Sequence, residues 1–433
     1  MTDQPDQPDQ PDQDKIDLKQ IGEMAKEMAR FTGRLASSQK NDILLTCADS
    51  LVKNCEYILE ENSRDMANTD PARQAFNDRL KLNKDRISSI AAGLRKVASL
   101  DDPVGEVLYM KTLPNGLQIG ERRVPIGVVG MIYEARPNVT VDSFGLCFKA
   151  GNSCILRGGS EALYSNMALV KVLQDTLESC KIPRQVVQFI TDPSRKIARQ
   201  FMGLDQYVDV LIPRGGSGLI KSTVENSTIP VIETGVGNCH IFVDESADLE
   251  KALDIIINAK TQRPSVCNAC EKLLIHKNLA KSFLPKICKA LADNGVKIHG
   301  DDKVCALIRA DKINSIIQPA TKEDWHTEYL DLIIGIKIVE DLEDAISHIS
   351  KYSSGHTEAI LTESYTNAQR FTAEIDSAAV FVNASTRFTD GEEFGLGAEI
   401  GISTQKLHAR GPMGLKALTT TKFIAFGSGQ IRQ

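Results

Sequence analysis

The spacing of apolar positions predicts helices over the first quarter of the chain. Between residues 18 and 97 apolar side chains recur every three or four residues, for example at Ile43, Leu44, Ala48 and Leu51. The fourteen residues before this region repeat Asp-Gln-Pro and offer no apolar face for burial. Because such a segment cannot offset the entropy lost on ordering, residues 1–14 are predicted to form a disordered tail.

A hairpin is predicted next, in the stretch EVLYMKTLPNGLQIGERRV. Its two strand-like runs flank Asn115-Gly116, a dipeptide that favours the positive φ angles of a two-residue hairpin turn. The runs are too polar for core strands, so the hairpin should lie on a domain surface or pack on another subunit. The final run, LTTTKFIAFGSG, predicts a lone strand in need of a partner edge, and this hairpin is the candidate.

Short apolar runs alternate with helical patterns from residue 124 onward. Up to residue 237 this alternation is typical of a parallel sheet with helical crossovers, that is, a doubly wound domain. A second alternating set, from Cys239 to about Thr404, predicts a second α/β domain whose strands are HIFVDE, KLLIH, IIGIKIV, AILTES and AAVFVN. The predicted fold class is therefore α/β.

Composition narrows the classes of function. The 433 residues carry a net charge of −6 that is spread along the chain, so no basic patch indicates nucleic acid binding. No apolar run approaches the roughly 20 residues of a membrane-spanning helix. Ten cysteines without an apolar leader predict free thiols in a reducing compartment, and hence a cytoplasmic protein.

Cys267 is the first candidate for catalytic chemistry. It lies in RPSVCNACE, after the helical pattern LEKALDIIINAK and before the strand-like KLLIH. A thiol at a helix-to-strand junction can act as a nucleophile, although a single cysteine is more often a small buried hydrophobe. Cys270 forms a CxxC with Cys267, but with no second pair and no suitably spaced histidines we expect no metal site.

The predicted turn after VDVLIP has features of a phosphate-binding loop. There Arg214 is followed by Gly215, Gly216 and Ser217 and then by a helical pattern. Glycines at a strand-to-helix turn let the backbone approach a phosphate at the helix N-terminus. The pattern is not a GxGxxG fingerprint, and glycine turns are common, so a cofactor site here is a hypothesis.

A similar turn occurs in SCILRGGSEA. Arg157 and Ser160 are candidates to hold an extra phosphate, while Glu161 either binds a ribose hydroxyl or simply begins the next helix. Farther along the chain, Glu233 ends the run IPVIE just before Gly235. A carboxylate at a strand end suits a general base; the alternative is a helix-capping or surface glutamate.

Taken in order, several long segments resemble the aldehyde dehydrogenase superfamily and, within it, the γ-glutamyl phosphate reductase family. They are RVPIGVVGMIYEARPNVTVDS, ILRGGSEA, IPRGGSG, IETGVGNCH, RPSVCNACE, EEFGLGAEIGIST and LHARGPMGL. The resemblance leaves only the Asp-Gln-Pro tail outside it. It implies an aldehyde dehydrogenase-like fold with an NADP-binding domain (15–106 and 124–237), a catalytic domain (238–405) and a β-hairpin oligomerisation flap (107–123 and 406–433).

The resemblance also implies a reaction. The family nucleophile falls on Cys267, the superfamily's base on Glu233, and the glutamate that touches the nicotinamide ribose on Glu328. A thiolate attacks the acyl phosphate of L-glutamate 5-phosphate, phosphate leaves, and NADPH reduces the resulting thioester to L-glutamate 5-semialdehyde. This step belongs to proline biosynthesis, which makes a glutamate kinase a candidate partner and a homo-oligomer the expected assembly.

Further site residues follow from the same comparison. Asn138, a loose match in the loop YEARPN, is a candidate oxyanion donor together with backbone N–H groups near Cys267. From turn position and charge alone, and not from the resemblance, Arg136, Arg263 and Arg387 are candidates to bind the substrate's phosphate and α-carboxylate. Arg157 replaces the lysine usual in the superfamily, which fits a 2′-phosphate and hence NADP.

Two other functions remain open on the sequence alone. Oxidising members of the superfamily use the base glutamate to activate water, whereas water attack would waste the thioester of a reductase. The need for Glu233 in a reductase is therefore open. Phosphate-dependent reduction of NADP with glutamate semialdehyde would favour the reductase, and phosphate-independent formation of the acid would favour a water-using aldehyde dehydrogenase on the same fold. The second alternative is a non-catalytic protein that has kept the fold, in which Cys267 would alkylate no faster than Cys180 or Cys288.

Overall fold

The computed structural model describes residues 17–70, 74–308 and 317–432. The tail predicted to be disordered lies outside the described residues. The described residues between 18 and 97 are mostly helical, as predicted. Among the described residues the α-helices are α1 Leu18–Thr32, α2 Ser37–Lys53, α3 Cys55–Ala67, α4 Gln74–Leu80, α5 Lys84–Ser99, α6 Pro137–Lys149, α7 Leu163–Ser179, α8 Arg195–Met202, α9 Ser217–Asn226, α10 Leu249–Thr261, α11 Ala280–Asp293, α12 Asp302–Ile308, α13 Leu342–Tyr352 and α14 Tyr365–Glu374.

The strands form two parallel sheets, a three-stranded antiparallel sheet and a short two-stranded ladder within the described residues. They are β1 Val107–Thr112, β2 Gln118–Pro125, β3 Val128–Tyr133, β4 Ser153–Arg157, β5 Val187–Phe189, β6 Val210–Arg214, β7 Cys239–Val243, β8 Cys270–His276, β9 Lys297–Gly300, β10 Ile317–Pro319, β11 Ile333–Val339, β12 Thr357–Leu361, β13 Ala379–Val382, β14 Ile402–Ser403, β15 Gly411–Pro412 and β16 Thr419–Phe426.

The first parallel sheet has the strand order β5-β4-β3-β6. The chain moves from β3 to β4 and β5 in one direction and then returns to the other side of β3 with β6. Every residue of β3 is buried, as expected for a strand covered on both faces. Apolar clusters lie on both faces of the sheet, which confirms the predicted doubly wound arrangement.

The second parallel sheet has the order β10-β9-β11-β8-β7-β12-β13, again with apolar clusters on its two faces. The five predicted strands are present. Two more were missed, β9 and β10, which lie at one end of the sheet. Each is only three or four residues long and contains few apolar side chains, so neither produces a strand-like apolar run.

The hairpin and the last strand form the third sheet, in the order β1-β2-β16. The predicted pairing of the C-terminal strand with the hairpin is therefore confirmed, with Thr419 opposite Pro125 and Phe426 opposite Gln118. The predicted two-residue turn is wrong. Leu113 N–H donates to Leu117 O at 2.8 Å, so the loop holds three residues, and of these Gly116 alone has a positive φ, +82°. A three-residue loop that ends on such a glycine also closes a hairpin.

Helix α10, which leads to Cys267, shows how local sequence sets an element. Asp248 caps its N-terminus, and the Asp248 carboxylate accepts the backbone N–H groups of Glu250 and Lys251 at 3.1 and 3.2 Å. Ala252, Ile256 and Ala259 then recur on one face and are buried. This packing fixes where the helix ends and where the following turn begins.

The cysteines and the helices bear on two further predictions. All ten cysteines lie in the described parts of the chain, and all are free thiols, as predicted. Across residues 17–70, 74–308 and 317–432 no helix combines the length and the apolar character needed to cross a bilayer.

Candidate active site

The carboxyl ends of three neighbouring strands meet at one edge of the four-stranded sheet. Arg157 at the end of β4 pairs with Ile132 of β3, and Arg214 at the end of β6 pairs with Tyr133 of β3. The loops that follow β3, β4 and β6 therefore start side by side. Since the strand order reverses here, this edge is where an open α/β sheet binds a ligand.

The loop after β6 forms a glycine cradle, defined here as Gly215, Gly216 and Ser217. A Cβ at Gly215 would lie 2.6 Å from Cδ of Glu134, so a larger residue would require that side chain to move. Gly216 N–H donates to Glu134 Oε2 at 3.0 Å, and helix α9 begins at Ser217. The cradle is exposed, and a carboxylate already occupies one of its backbone donors. Backbone N–H groups at a helix N-terminus favour anions such as a pyrophosphate.

Arg157, in contrast, points its guanidinium into the protein. It is 8% exposed, and its Nη2 donates to the backbone oxygens of Pro193 at 2.6 Å and Ser194 at 3.1 Å. Burial lowers the pKa of Arg157, and the charge of Asp192 opposes that shift. Nε is buried and has no hydrogen-bond partner among the described residues. Arg157 therefore holds the loop before α8. Ser160, by contrast, is exposed and begins the short helical turn Ser160–Ala162.

Cys267 lies in the turn between α10 and β8, as the sequence predicted. Its peptide is held from two sides. A Cβ at Gly237 would lie 1.5 Å from the Cys267 carbonyl oxygen, so the backbone of Gly237 is in direct contact with it. Cys239 Sγ donates to the same oxygen at 3.1 Å. Gly237 N–H in turn donates to Glu328 Oε1 at 2.8 Å.

These residues lie at the amino edge of the seven-stranded sheet. Gly237 precedes β7, Cys267 precedes β8 and Glu328 precedes β11, and these three strands are neighbours. Cys267 was predicted to precede a strand, but the candidates for cofactor binding were sought after strands, because ligands usually bind at carboxyl edges. The sequence pattern did not indicate that Gly237 would join Cys267 at the amino edge of the second sheet.

The three arginines predicted to bind substrate, Arg136, Arg263 and Arg387, contribute positive charge near Cys267. Partial burial and the charges of Arg214, Arg79 and Arg263 lower the pKa of Arg136 to about 10, although part of the Arg136 side chain remains exposed. The effect of these three charges on Arg136 indicates a cluster of cations in this region. A cluster of positive charges is suited to a substrate that carries both a phosphate and a carboxylate.

Arg387 is tied directly to the Cys267 turn. Its Nη1 donates to the side chain of Asn268, the residue after Cys267, and its Nε donates to Gln262 Oε1 at 2.9 Å. Asn268 Nδ2 donates to Thr389 O at 2.9 Å. Burial lowers the pKa of Arg387, and the charge of Arg263 adds to the effect. The guanidinium is therefore placed beside the candidate nucleophile by Asn268.

The thiol of Cys267 has a pKa raised to about 11, chiefly by burial. The positive charge of Arg214 opposes this shift, whereas Glu328 and Glu399 add to it. Sequence reasoning treated Arg214 as part of the cofactor turn and did not select Glu399. The segment EEFGLGAEIGIST, which contains Glu399 and was singled out for its resemblance, is the signal that could have found it.

Glu399 and Arg214 also interact with each other. Burial and the nearby charge of Asp390 raise the pKa of Glu399 to about 7, and Arg214 opposes the rise. Glu399 Oε2 accepts the Gly391 N–H at 3.0 Å. A Cβ at Gly401 would lie 2.9 Å from Arg214 Nη1, so the chain after Glu399 runs against that guanidinium. Arg214 thus links the end of β6 to the surroundings of Cys267.

Asn138 lies in the first turn of α6 and is exposed. Its Nδ2 donates to Asp142 Oδ2 at 2.9 Å. Burial raises the pKa of Asp142 to about 6, which this hydrogen bond and the charge of Arg214 oppose. One amide hydrogen of Asn138 is therefore used within its own helix, and the other is left for a ligand.

Glu233 was predicted at the end of a strand, and this prediction is wrong. Val231 makes a single isolated bridge to Leu211, and the chain from residue 232 to 238 is irregular. The apolar run is too short and too close to the glycines that follow to pair further. Glu233 N–H donates to Gln405 Oε1 at 3.0 Å, which anchors its backbone.

Comparison with known proteins agrees with these features. A model of the aldehyde dehydrogenase family matches residues 8–330. The gamma-glutamyl phosphate reductase of Carboxydothermus hydrogenoformans is 58% identical over 418 residues, which cover 96% of this chain and 99% of the relative. That of Clostridium botulinum strain Eklund 17B is 56% identical over 413 residues, or 95% and 98% of the two chains. The crystal structure of the Thermotoga maritima enzyme of the same name superimposes with a TM-score of 0.93 at 48% identity, over 96% of this chain and 100% of that one.

Proposed function

Because this chain belongs to the aldehyde dehydrogenase family and, within it, to the gamma-glutamyl phosphate reductases, we propose that it reduces L-glutamate 5-phosphate to L-glutamate 5-semialdehyde and releases phosphate. This is a step of proline biosynthesis. The single observation that carries the proposal is the hydrogen bond that holds the Arg387 guanidinium against Asn268, the residue after the half-buried Cys267, whose thiol pKa is raised by burial and lowered by the charge of Arg214. An acyl phosphate of an amino acid needs such a combination of nucleophile and cations.

Cys267 is the nucleophile in this proposal. Its sulfur attacks the acyl carbon, a C–S bond forms, and the C–O bond to phosphate breaks, with the electron pair leaving on the phosphate oxygen. With a pKa near 11 the thiol is mostly protonated in the ligand-free protein, so its proton has to leave before attack. Arg214 favours the thiolate, because it is the leading charge that lowers this pKa.

The remaining cations bind the substrate. Arg136, Arg263 and Arg387 are assigned to the phosphate and the α-carboxylate, and the hydrogen bonds of Arg387 to Asn268 and Gln262 keep it oriented toward the Cys267 turn. Asn138, with its free amide hydrogen, is assigned together with backbone N–H groups near Cys267 to the oxyanion. One such donor typically contributes about 3 kcal/mol to lowering the barrier.

NADPH is the reductant in this proposal, and the described residues fit it. The cradle Gly215–Ser217 lies at the N-terminus of α9, where backbone N–H groups are suited to donate to a pyrophosphate. Ser160 and Glu161 are assigned to the adenosine ribose and its 2′-phosphate. Arg157 is assigned to the same site through the loop at Ser194 that it holds, and Glu328 is assigned to the nicotinamide ribose. When bound, NADPH supplies the hydride that reduces the thioester.

Glu233 distinguishes this function from oxidation of an aldehyde by water. In a reductase the thioester must survive until it is reduced, so activation of water by Glu233 would be wasteful. We propose that Glu233 is not needed as a base in the reductive direction. Its backbone hydrogen bond to Gln405 indicates a role in holding the irregular segment before β7.

Assembly is the last part of the proposal. We propose an NADP-binding domain (15–106 and 124–237), a catalytic domain (238–405) and a flap (107–123 and 406–433). We assign the flap to the contact between the subunits of a homo-oligomer. Every residue of β1 is exposed, including Val107 at 50% and Met110 at 44%, which leaves an apolar edge to be covered. A glutamate kinase that supplies the acyl phosphate is the proposed functional partner.

The reverse reaction tests this function. L-Glutamate 5-semialdehyde and NADP are offered with and without inorganic phosphate. We expect NADPH to form only when phosphate is present, and Cys267→Ser to abolish its formation. Formation of NADPH without phosphate, with glutamate as the product, would support the water-using aldehyde dehydrogenase instead.

A further inference from the structure

A fully buried ion pair lies behind the Cys267 turn. Lys260 Nζ, at the end of α10, is 3.2 Å from Glu271 Oε1, at the start of β8, and neither side chain is exposed to solvent. The second carboxylate oxygen, Glu271 Oε2, accepts the backbone N–H of Tyr329 at 3.1 Å. One carboxylate thus joins the elements on both sides of Cys267 to the segment that leads into β11.

That segment is held at a second point by the next residue of β8. Lys272 Nζ donates to Thr327 O at 2.7 Å and lies 4.3 Å from the centre of the Tyr329 ring. The Tyr329 hydroxyl donates to Asp324 Oδ1 at 2.7 Å. Glu328 lies between the two anchored residues, so the direction of its side chain depends on both.

Glu328 is connected through Gly237 to the backbone of the candidate nucleophile, Cys267. Its Oε1 accepts the Gly237 N–H at 2.8 Å, and Gly237 rests directly on the carbonyl oxygen of Cys267. A continuous series of contacts therefore runs from the buried pair to the Cys267 peptide. Lys260 and Glu271 can therefore affect the position of Cys267 without touching the substrate.

We propose that Glu271, paired with Lys260, is a positioning residue that sets the location of Glu328 and, through Gly237, of Cys267. The inference rests on the proposed role of Cys267 as nucleophile. A buried ion pair is a weak source of net stability, because desolvation offsets its attraction, and apolar replacement of both partners is often tolerated. The acceptor that the pair presents to Tyr329 is the feature that an apolar replacement would not keep.

Two double variants separate positioning from stability. Lys260→Met with Glu271→Met removes the charges and the acceptor, whereas Lys260→Met with Glu271→Gln removes the charges but keeps an oxygen for the Tyr329 N–H. We expect the first to lower kcat and the rate of Cys267 alkylation about tenfold or more, with KM for the substrate nearly unchanged, because small misplacements of a reacting group are costly. The second should recover most of the loss.

The matched control is another buried ion pair far along the chain from Cys267. Lys40 Nζ is 2.5 Å from Asp102 Oδ2, with side chains 1% and 7% exposed. Lys40→Met with Asp102→Asn should leave kcat and the alkylation rate at wild-type values. Thermal melting of all variants reports folding, and alkylation at Cys267 is followed by mass spectrometry of the ligand-free full chain.

The outcomes distinguish this inference from the proposed function. If the Met/Met variant folds and keeps the wild-type kcat and alkylation rate, the positioning role is overturned even though the reductase activity stands. If the Met/Met variant does not fold, Glu271→Asp is measured instead, because the shorter side chain cannot reach both Lys260 and Tyr329. A wild-type kcat in Glu271→Asp would also overturn the inference. If Cys267→Ser retains phosphate-dependent activity, the proposed function itself fails.

Discussion

Replacing Gly237 with alanine should displace the backbone of Cys267. The added Cβ would lie 1.5 Å from the Cys267 carbonyl oxygen and 2.3 Å from its carbonyl carbon. Ordinary contact between such atoms needs about 3.5 Å, so the two segments must separate by roughly 2 Å. A misplacement of about 1 Å near a reacting group can cost about 100-fold in rate. We therefore expect kcat/KM to fall at least about 100-fold, equivalent to about 2.7 kcal/mol of transition-state stabilisation.

The assay compares Gly237→Ala with wild type and with Gly203→Ala. A Cβ at Gly203 would meet its nearest neighbour, Gln200 O, at 3.5 Å, which is ordinary contact, so this control should behave as wild type. The measurements are kcat/KM of the reverse reaction, the rate of Cys267 alkylation without ligands, and thermal melting. Wild-type turnover and alkylation by Gly237→Ala would refute the reasoning, because the close approach to Cys267 would then have no bearing on the thiol.

Three further predictions concern charge and cofactor choice. Arg214→Met should raise the pKa of the Cys267 thiol, because Arg214 lowers it, and should slow alkylation at neutral pH more than Arg214→Lys does; equal rates for the two variants would contradict this. In the ligand-free wild type, alkylation of Cys267 should rise about tenfold per pH unit up to about pH 10, because the thiol pKa is about 11, and a plateau at lower pH would contradict the assignment. Ser160→Glu should raise KM for NADPH far more than KM for NADH, because a carboxylate repels the 2′-phosphate; an unchanged ratio of the two constants would remove Ser160 from that site.

The location of Cys267 was predictable because two strong periodic signals flank it. LEKALDIIINAK repeats apolar residues at helical spacing, and KLLIH is a continuous apolar run that becomes a fully buried strand. The turn between them was therefore determined by local patterns. The same holds for Arg214, whose position at the end of a strand followed from VDVLIP and the glycines after it.

Other parts of the site depend on contacts between distant residues. Lys260 and Glu271 carry no sequence signal of burial, because charged residues at a helix end and a strand start are usually solvated. Only the folded chain shows that both side chains are buried and that Glu271 accepts the backbone N–H of Tyr329. Arg157 was predicted to reach a phosphate, but its partners, the carbonyls of Pro193 and Ser194, carry no side-chain signal that a sequence could display.

Two short strands and the hairpin loop were also not predicted correctly from the sequence. β9 and β10 are strands of four and three residues at one end of the sheet, and their pairing comes from neighbours, not from their own apolar content. The hairpin loop is similar, because Asn115-Gly116 fits both two- and three-residue turns, and the register between β1 and β2 selects the longer one.

The central claim is that the sulfur of Cys267 becomes acylated. The most direct measurement mixes the full chain with L-glutamate 5-phosphate in the absence of NADPH, quenches in acid and determines the mass of the peptide that contains residue 267. We expect a γ-glutamyl thioester on Cys267 that disappears when NADPH is added before the quench, and no adduct in Cys267→Ser. An active wild-type enzyme that shows no adduct at Cys267, or an equal adduct in Cys267→Ser, would contradict the account.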